Sequence, residues 1–112
     1  MVPMDIRNPS PIVARHLTKN EEMLYVVVER LSEPEIVGDL FRLRAHYHPV
    51  GSRRTADWSN IIVKDETGNK YDLRMALVKF LLDRRDDGWE VTSSANLNTL
   101  PNETDFWRLD NL

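Results

Sequence analysis

The clearest strand pattern in the chain lies in residues 23–31, which contain three consecutive valines. A run that is apolar on both faces is typical of a strand inside a sheet. Residues 40–48 instead alternate strictly between apolar and polar positions, which predicts a half-buried strand with a basic outer face. The apolar positions are Phe41, Leu43, Ala45 and Tyr47, and the polar positions are Arg42, Arg44, His46 and His48.

A third strand and a hairpin are predicted in the middle of the chain. The third strand is predicted to begin with residues 58–65. Residues 65–69 follow it, and their composition, which includes Gly68, suits a short hairpin loop. We therefore expect residues 70–72 to return as an antiparallel strand.

One long helix is predicted over residues 73–87. Asp72 is suited to cap its start, and Gly88 lies where a left-handed residue commonly ends a helix. Short strands are expected at residues 89–92 and 105–109. The predicted order is β-β-β-β-α-β-β, which is an α+β fold with one helix packed on a mainly antiparallel sheet of about five to six strands.

The N-terminal segment, residues 1–22, contains three prolines and is predicted to form an extended arm. A short helix within it would be capped by Ser10, with Pro11 at its first position. Its apolar residues Ile12, Val13 and Leu17 are available to dock on a core. Residues 23–112 are then expected to form a single domain.

The predicted helix has two apolar stripes on nearly opposite sides. The broad stripe comprises Leu73, Ala76, Leu77, Phe80 and Leu81, and the second comprises Met75, Val78 and Leu82. One sheet covers only one side of a helix. The second stripe must therefore either be covered by something else or form an exposed patch. The chain's own arm, through Ile6, Ile12, Val13 and Leu17, is one candidate. A second copy or a partner protein is the other.

The composition is that of one ordinary globular domain, with 112 residues and a formal net charge of −3. The absence of cysteine excludes thiol catalysis, thiolate zinc sites and iron–sulfur clusters, and it favours a reducing, cytoplasmic compartment. No apolar run is long enough for a signal peptide or a membrane span, so no membrane contact is expected.

Positive charge is concentrated in residues 40–56, which contain no acidic residue. The predicted basic surface comprises Arg42, Arg44, His46, His48, Arg53, Arg54 and Trp58. It could bind the phosphates of a single-stranded nucleic acid, with an aromatic side chain stacking on a base. The alternative is that its arginines pair with carboxylates on a neighbouring strand, which the acidic net charge favours.

The sequence contains no complete metal, cofactor or catalytic motif. His46 and His48 have a spacing that suits two metal ligands, but a site needs a third, such as Asp57 or His16, so no metal is predicted. The chain contains no nucleophile elbow, P-loop, zincin motif or dinucleotide fingerprint. We predict no cofactor and no catalytic residue.

Two resemblances follow from short motifs. The predicted strand in residues 23–31 contains Tyr25-Val26-Val27. Residues 73–109 contain the predicted helix, the run Gly88-Trp89-Glu90-Val91 and an aromatic strand with Arg108. This pattern resembles a family of small bacterial domains of unknown function, in which residues 32–72 would be an insertion. The run from Val63 to Gly68 before the helix resembles the hairpin of OB-fold domains, which implies a nucleic-acid-binding scaffold.

The sequence therefore predicts a non-catalytic protein-interaction or assembly module, of accessory, inhibitor or immunity type, that binds another protein or a second copy of itself. The alternative is an OB-like domain that binds single-stranded nucleic acid through the basic surface. A small enzyme with a site invisible in the sequence is the third hypothesis.

Overall fold

Five antiparallel strands and one helix make up the fold of the residues that the structure describes. A computed structural model describes residues 10–31, 40–48, 61–97 and 103–109. The elements are β1 (Ser10–Lys19), β2 (Glu22–Arg30), β3 (Phe41–His48), β4 (Ile61–Gly68), α1 (Lys70–Asp86) and β5 (Glu90–Asn96). The predicted α+β class is confirmed, as is the order of four strands, a helix and a strand.

The sheet has the spatial order β4-β3-β2-β1-β5, and all neighbouring strands are antiparallel. Consequently β4 and β5 run in the same direction at opposite edges. Helix α1 connects these two edges and crosses one face of the sheet on the way. The predicted strands in residues 23–31 and 40–48 are confirmed as β2 and β3, in the interior of the sheet.

The prediction of an N-terminal arm with a short helix from Ser10 is wrong for the described residues. Ser10–Lys19 is β1, which pairs with β2 on one side and with β5 on the other. The β-branched pair Ile12 and Val13 favours a strand, and Pro11 lies beside a bulge, where a proline is tolerated. The domain therefore begins before residue 23.

The turn between β1 and β2 explains why this hairpin was missed. Its two central residues, Asn20 and Glu21, have φ angles of 52° and 74°. Two positive φ values define a type I′ turn, in which glycine normally occupies the second position. Because glutamate stands there instead, the sequence carries no recognisable hairpin signal.

The predicted hairpin loop at residues 65–69 and return strand at residues 70–72 are also wrong. Strand β4 continues to Gly68, and the next residue but one is already helical. Asn69 is the N-cap, because its Oδ1 accepts a hydrogen bond of 2.9 Å from the backbone N–H of Asp72. An asparagine in a turn and an asparagine that caps a helix look alike in a sequence.

The expected OB-like hairpin is therefore not formed. Residues 63–68 lie within β4, and the described sheet is open, whereas OB folds are barrels.

The end of the described chain differs from the expected final strand. Gly88 ends the helix with a φ of 97°, as predicted, and β5 is longer than residues 89–92. Residues 103–109 form turns instead of a strand. The Trp107 ring is fully buried beside Phe41, and the Arg30 guanidinium binds the Glu103 carboxylate. These contacts hold the segment against the end of the core.

The hydrophobic core lies between α1 and the face of the sheet that it crosses. Three helix residues are buried there: Leu73, Leu77 and Leu81. They pack with residues from β1, β2 and β3, from the position just before β5 and from residues 103–109: Ile12, Val13, Leu17, Leu24, Val26, Val28, Phe41, Leu43, Ala45, Trp89, Trp107 and Leu109. The broad apolar stripe predicted for the helix is thus its core-facing side, with Ala76 and Phe80 partly buried at its margin.

Candidate functional site

The side of α1 that faces away from the sheet carries a row of apolar residues. The predicted second stripe, Met75, Val78 and Leu82, lies here, and Tyr71 extends it by one turn. We call these four residues the outer seam. Met75 is 70% exposed and Tyr71 is 63% exposed, whereas Val78 and Leu82 are half-buried. Tyr71 was missed because its segment was assigned to a strand.

The predicted cover of this stripe by Ile12, Val13 and Leu17 is wrong. These three residues lie in β1 and belong to the core beneath the helix, so they do not reach its outer side. Ile6 lies outside the described residues. The second stripe is also not wholly exposed, because Val78 packs against the margin of the core.

Two shallow grooves flank Met75. One, of about 310 Å³, lies among Arg74, Met75, Val78, Lys79, Leu82 and Asp83. The other, of about 550 Å³, lies between α1 and β4 and includes Phe80, Lys64 and Asp72 in its walls. Two helices pack when the side chains of one fit into the grooves of the other. An exposed side chain with a groove on each side is therefore suited to contact a second helix.

The basic face of β3 is largely paired within the sheet. Arg42 makes two hydrogen bonds to the Asp65 carboxylate on β4, of 2.9 and 2.8 Å, and they lower the pKa of Asp65. Arg44 binds the Glu29 carboxylate on β2 at 2.8 Å. Both arginines therefore hold carboxylates of neighbouring strands, as the alternative to nucleic-acid binding predicted. Arg53, Arg54 and Trp58 lie outside the described residues.

The histidines of β3 share a face with these ion pairs. Burial, and then the positive charge of Arg44, lower the pKa of His46 from its usual 6.5. Its Nδ1 is buried without a hydrogen-bond partner. In the strand register, His46 pairs with Tyr25, and Tyr25 pairs with His16, so two strand spacings of about 4.8 Å separate the histidines.

This arrangement does not assemble a metal site. The Tyr25 ring stacks on His16 at a centroid distance of 4.7 Å and stands between the two histidines. Among the residues described by the structure, no group of three or more histidine and acidic side chains could hold a metal ion. Asp57, considered as a third ligand, lies outside those residues.

A cleft of about 760 Å³ was not predicted from the sequence. It lies where the end of α1, strands β1 and β5, and residues 103–109 meet, and three arginines line it: Arg15, Arg85 and Arg108. These residues are far apart in the chain, so no local motif indicates the cleft. The one available signal was Arg15, an arginine between the apolar residues of a strand.

Comparisons with known proteins give no assignment: no family model, no curated protein and no solved structure matches the chain. The resemblance to small bacterial domains of unknown function stays a prediction. In the described ranges, no helix has the length and apolar character needed to cross a membrane.

Proposed function

We propose that this protein is a non-catalytic assembly module that pairs with a second copy of itself through the outer seam of α1. The observation that carries the proposal is the seam itself, in which apolar residues recur at intervals of four, three and four positions on the side of the helix away from the sheet. This spacing is the one by which two helices pack along a shared line. Its most exposed member, Met75, stands between two grooves.

An antiparallel arrangement makes the seam complementary to itself. Met75 of one copy then faces Val78 of the other, and Tyr71 faces Leu82. On the flank of the seam, Lys79 comes beside Asp72 of the second copy, and the two-fold symmetry repeats this contact. Opposite charges therefore meet twice at the edge of the interface.

A parallel arrangement lacks this complementarity. In a parallel pair, the residue just before a seam position on one helix lies near the residue five positions later on the other helix. Arg74 would then approach Lys79 of the second copy, and like charges would meet on both sides. The charges along α1 thus favour the antiparallel pair.

The seam is short, so the pairing is expected to be reversible. Interfaces smaller than about 1,200 Å² are typical of weak, transient complexes. We therefore expect a monomer–dimer equilibrium that depends on protein concentration. A reducing compartment such as the cytoplasm suits the proposal, because the chain contains no cysteine.

Sedimentation equilibrium over a range of protein concentrations tests the proposal. The apparent mass of the wild type should rise from 13.1 kDa towards twice that value. Met75→Glu should hold the protein at the monomer mass, because it places charge at the most exposed point of the seam. Met23→Glu is the matched control, since Met23 is 47% exposed on β2, away from the seam, and it should dimerise as the wild type does.

Charge reversal tests the antiparallel register separately. Lys79→Asp should weaken dimerisation, and adding Asp72→Lys should restore it, because the reversed pair is again complementary. Circular dichroism checks that each variant stays helical. A wild type that remains monomeric at every concentration, or a Met75→Glu variant that dimerises normally, would refute the proposal.

A further inference from the structure

Two arginine–carboxylate pairs of the described strands lie on the face of the sheet opposite the helix, and their geometries differ. Arg42 donates to both oxygens of Asp65, from Nε at 2.9 Å and from Nη2 at 2.8 Å, which is a bidentate contact. Arg44 instead binds Glu29 through a hydrogen bond of 2.8 Å from Nη2 to Oε2. In this second pair the Nε of the arginine and the Oε1 of the carboxylate are not used.

The two unused atoms are buried. Within the described part of the chain, Glu29 Oε1 and Arg44 Nε have neither solvent contact nor a hydrogen-bond partner. The same holds for Nδ1 of His46, which lies two residues further along β3 on the same face. Buried polar atoms are normally hydrogen-bonded, because losing water without gaining another partner is unfavourable. Three such atoms on neighbouring side chains indicate a site arranged to bind a further polar group.

The chemistry of the three atoms defines which group satisfies them. Glu29 Oε1 accepts a hydrogen bond, and Arg44 Nε donates one. Burial, and then the charge of Arg44, lower the pKa of His46, so its imidazole is neutral at neutral pH and Nδ1 can either donate or accept. An acceptor next to a donor matches the N–H and C=O of an amide. A carboxylate or a phosphate dianion does not match, because it has no donor for Glu29.

The surroundings of the pair suit a flat ring. Val27 lies opposite Arg44 in the strand register, and its buried side chain offers an apolar floor. Tyr25 lies opposite His46 on the same face, and its half-buried ring contacts the His16 ring at a centroid distance of 4.7 Å. Aromatic side chains on the face of a sheet are a common platform for planar heterocycles such as nucleobases.

We propose that the cluster of Tyr25, Glu29, Arg44 and His46 binds a planar cyclic amide, the group that forms the hydrogen-bonding edge of uracil. The ring N–H donates to Glu29 Oε1, the adjacent carbonyl accepts from Arg44 Nε, and the ring lies beside Tyr25. The side chain of Arg44 is 27% exposed and that of Glu29 is 10% exposed. The arginine is therefore the outer member of the pair, and a rotation of its guanidinium opens both atoms to the ligand. The site lies on the other face of the sheet from the outer seam and does not depend on self-association.

NMR titration with uridine and with uridine methylated at its ring N–H tests the proposal. The two nucleosides share the ring and the sugar, but the methyl group removes the donor for Glu29. Uridine should shift the Hε signal of Arg44 and the ring signals of Tyr25 in the millimolar range, and the methylated nucleoside should not. The Hε of Arg42 is the internal control, because it is already bound to Asp65.

An oligouridylate distinguishes the two sources of this group. Binding that is tighter per base than that of uridine, and that weakens with added salt, indicates a single-stranded nucleic acid. Equal binding per base indicates a free nucleoside or base.

Substitutions locate the binding. Glu29→Gln keeps the shape of the side chain but replaces the unused acceptor with a donor, so it should weaken uridine binding about tenfold, the loss expected for one hydrogen bond to a charged group. Asp65→Asn alters the other pair on the same face and is the matched control, which should bind uridine as the wild type does. Tyr25→Leu removes the ring and should also weaken binding, so it decides the matter if Glu29→Gln does not fold. No binding of uridine, equal binding of the methylated nucleoside, equal losses in Glu29→Gln and Asp65→Asn, or unchanged binding in Tyr25→Leu would overturn the proposal.

Discussion

At the scale of single residues, the most informative position is Glu21 in the β1–β2 turn. A non-glycine residue with positive φ is strained, because its Cβ crowds the backbone. Glu21 has a φ of 74°, and Asn20 beside it has a φ of 52°. Asparagine tolerates this conformation better than glutamate does.

We expect Glu21→Gly to raise the free energy of unfolding by about 0.5–1 kcal/mol, since glycine relieves the strain while adding freedom to the unfolded chain. Urea denaturation at constant pH measures this change. Asn20→Gly is the control and should stabilise the protein less. An equal or larger gain from Asn20→Gly would contradict the assignment of strain to Glu21.

His46 makes the stability of the folded protein depend on pH. Its pKa in the folded protein lies below 6.5, while the unfolded chain takes up the proton near 6.5. In the interval between these values the unfolded state binds more protons, so stability falls as the pH is lowered through 6.5 towards the pKa of the folded protein. Arg44 and Arg42 lower this pKa further, and Glu29 and Asp65 partly oppose them.

His46→Gln should therefore lose less stability than the wild type between pH 7.5 and 5.5, measured by urea denaturation. Asp65 does not interfere in this window, because its pKa lies below 3.8 and its ion pair is lost only in stronger acid. An NMR titration of His46 with a midpoint at or above 6.5 would contradict the expected order of pKa values.

At the scale of elements, the start of α1 depends on its cap. Asn69 accepts a hydrogen bond from the N–H of Asp72, which satisfies one of the backbone donors that a helix leaves open at its start. We expect Asn69→Ala to lower the free energy of unfolding by about 1 kcal/mol, while Asn69→Ser should stay within a few tenths. Urea denaturation of both variants checks this. Equal losses would show that the cap contributes little.

The sequence predicted those elements whose pattern is set by burial. Strand β3 alternates because one face packs on the core, and the centre of β2 is apolar on both faces because Val26, Val27 and Val28 are all buried. The helix was predicted from the spacing of its apolar residues, and its end was predicted from Gly88. Strand β1 was missed because Pro11 suggested a helix start and Glu21 concealed the turn, and Trp107 was assigned to a strand although its ring fills the core from a turn.

At the scale of the whole molecule, sheet order decides which residues meet. Strands β1 and β5 are separated in sequence by three strands and the helix, yet they pair, and their pairing brings Arg15 to Ala95. No local pattern specifies such a contact, so the arginine cleft was invisible to sequence reasoning. The outer seam was partly visible, because helical spacing alone places Met75, Val78 and Leu82 together.

One intermolecular distance shows whether two α1 helices pair in the antiparallel direction. The chain lacks cysteine, so Asp86→Cys accepts a single spin label near the end of the helix. The centre of the antiparallel pair lies between Ala76 and Leu77. A rise of about 1.5 Å per residue and a helix separation of about 10 Å then give an interlabel distance of about 30 Å.

Double electron–electron resonance on the labelled protein measures this distance at concentrations where the dimer forms. An antiparallel pair should give a distribution centred at about 30 Å that disappears when Met75→Glu is added. Parallel helices would instead place the two labels about 10 Å apart, which broadens the continuous-wave spectrum and would contradict the antiparallel pair. The absence of any intermolecular coupling would show that the seam does not join two copies.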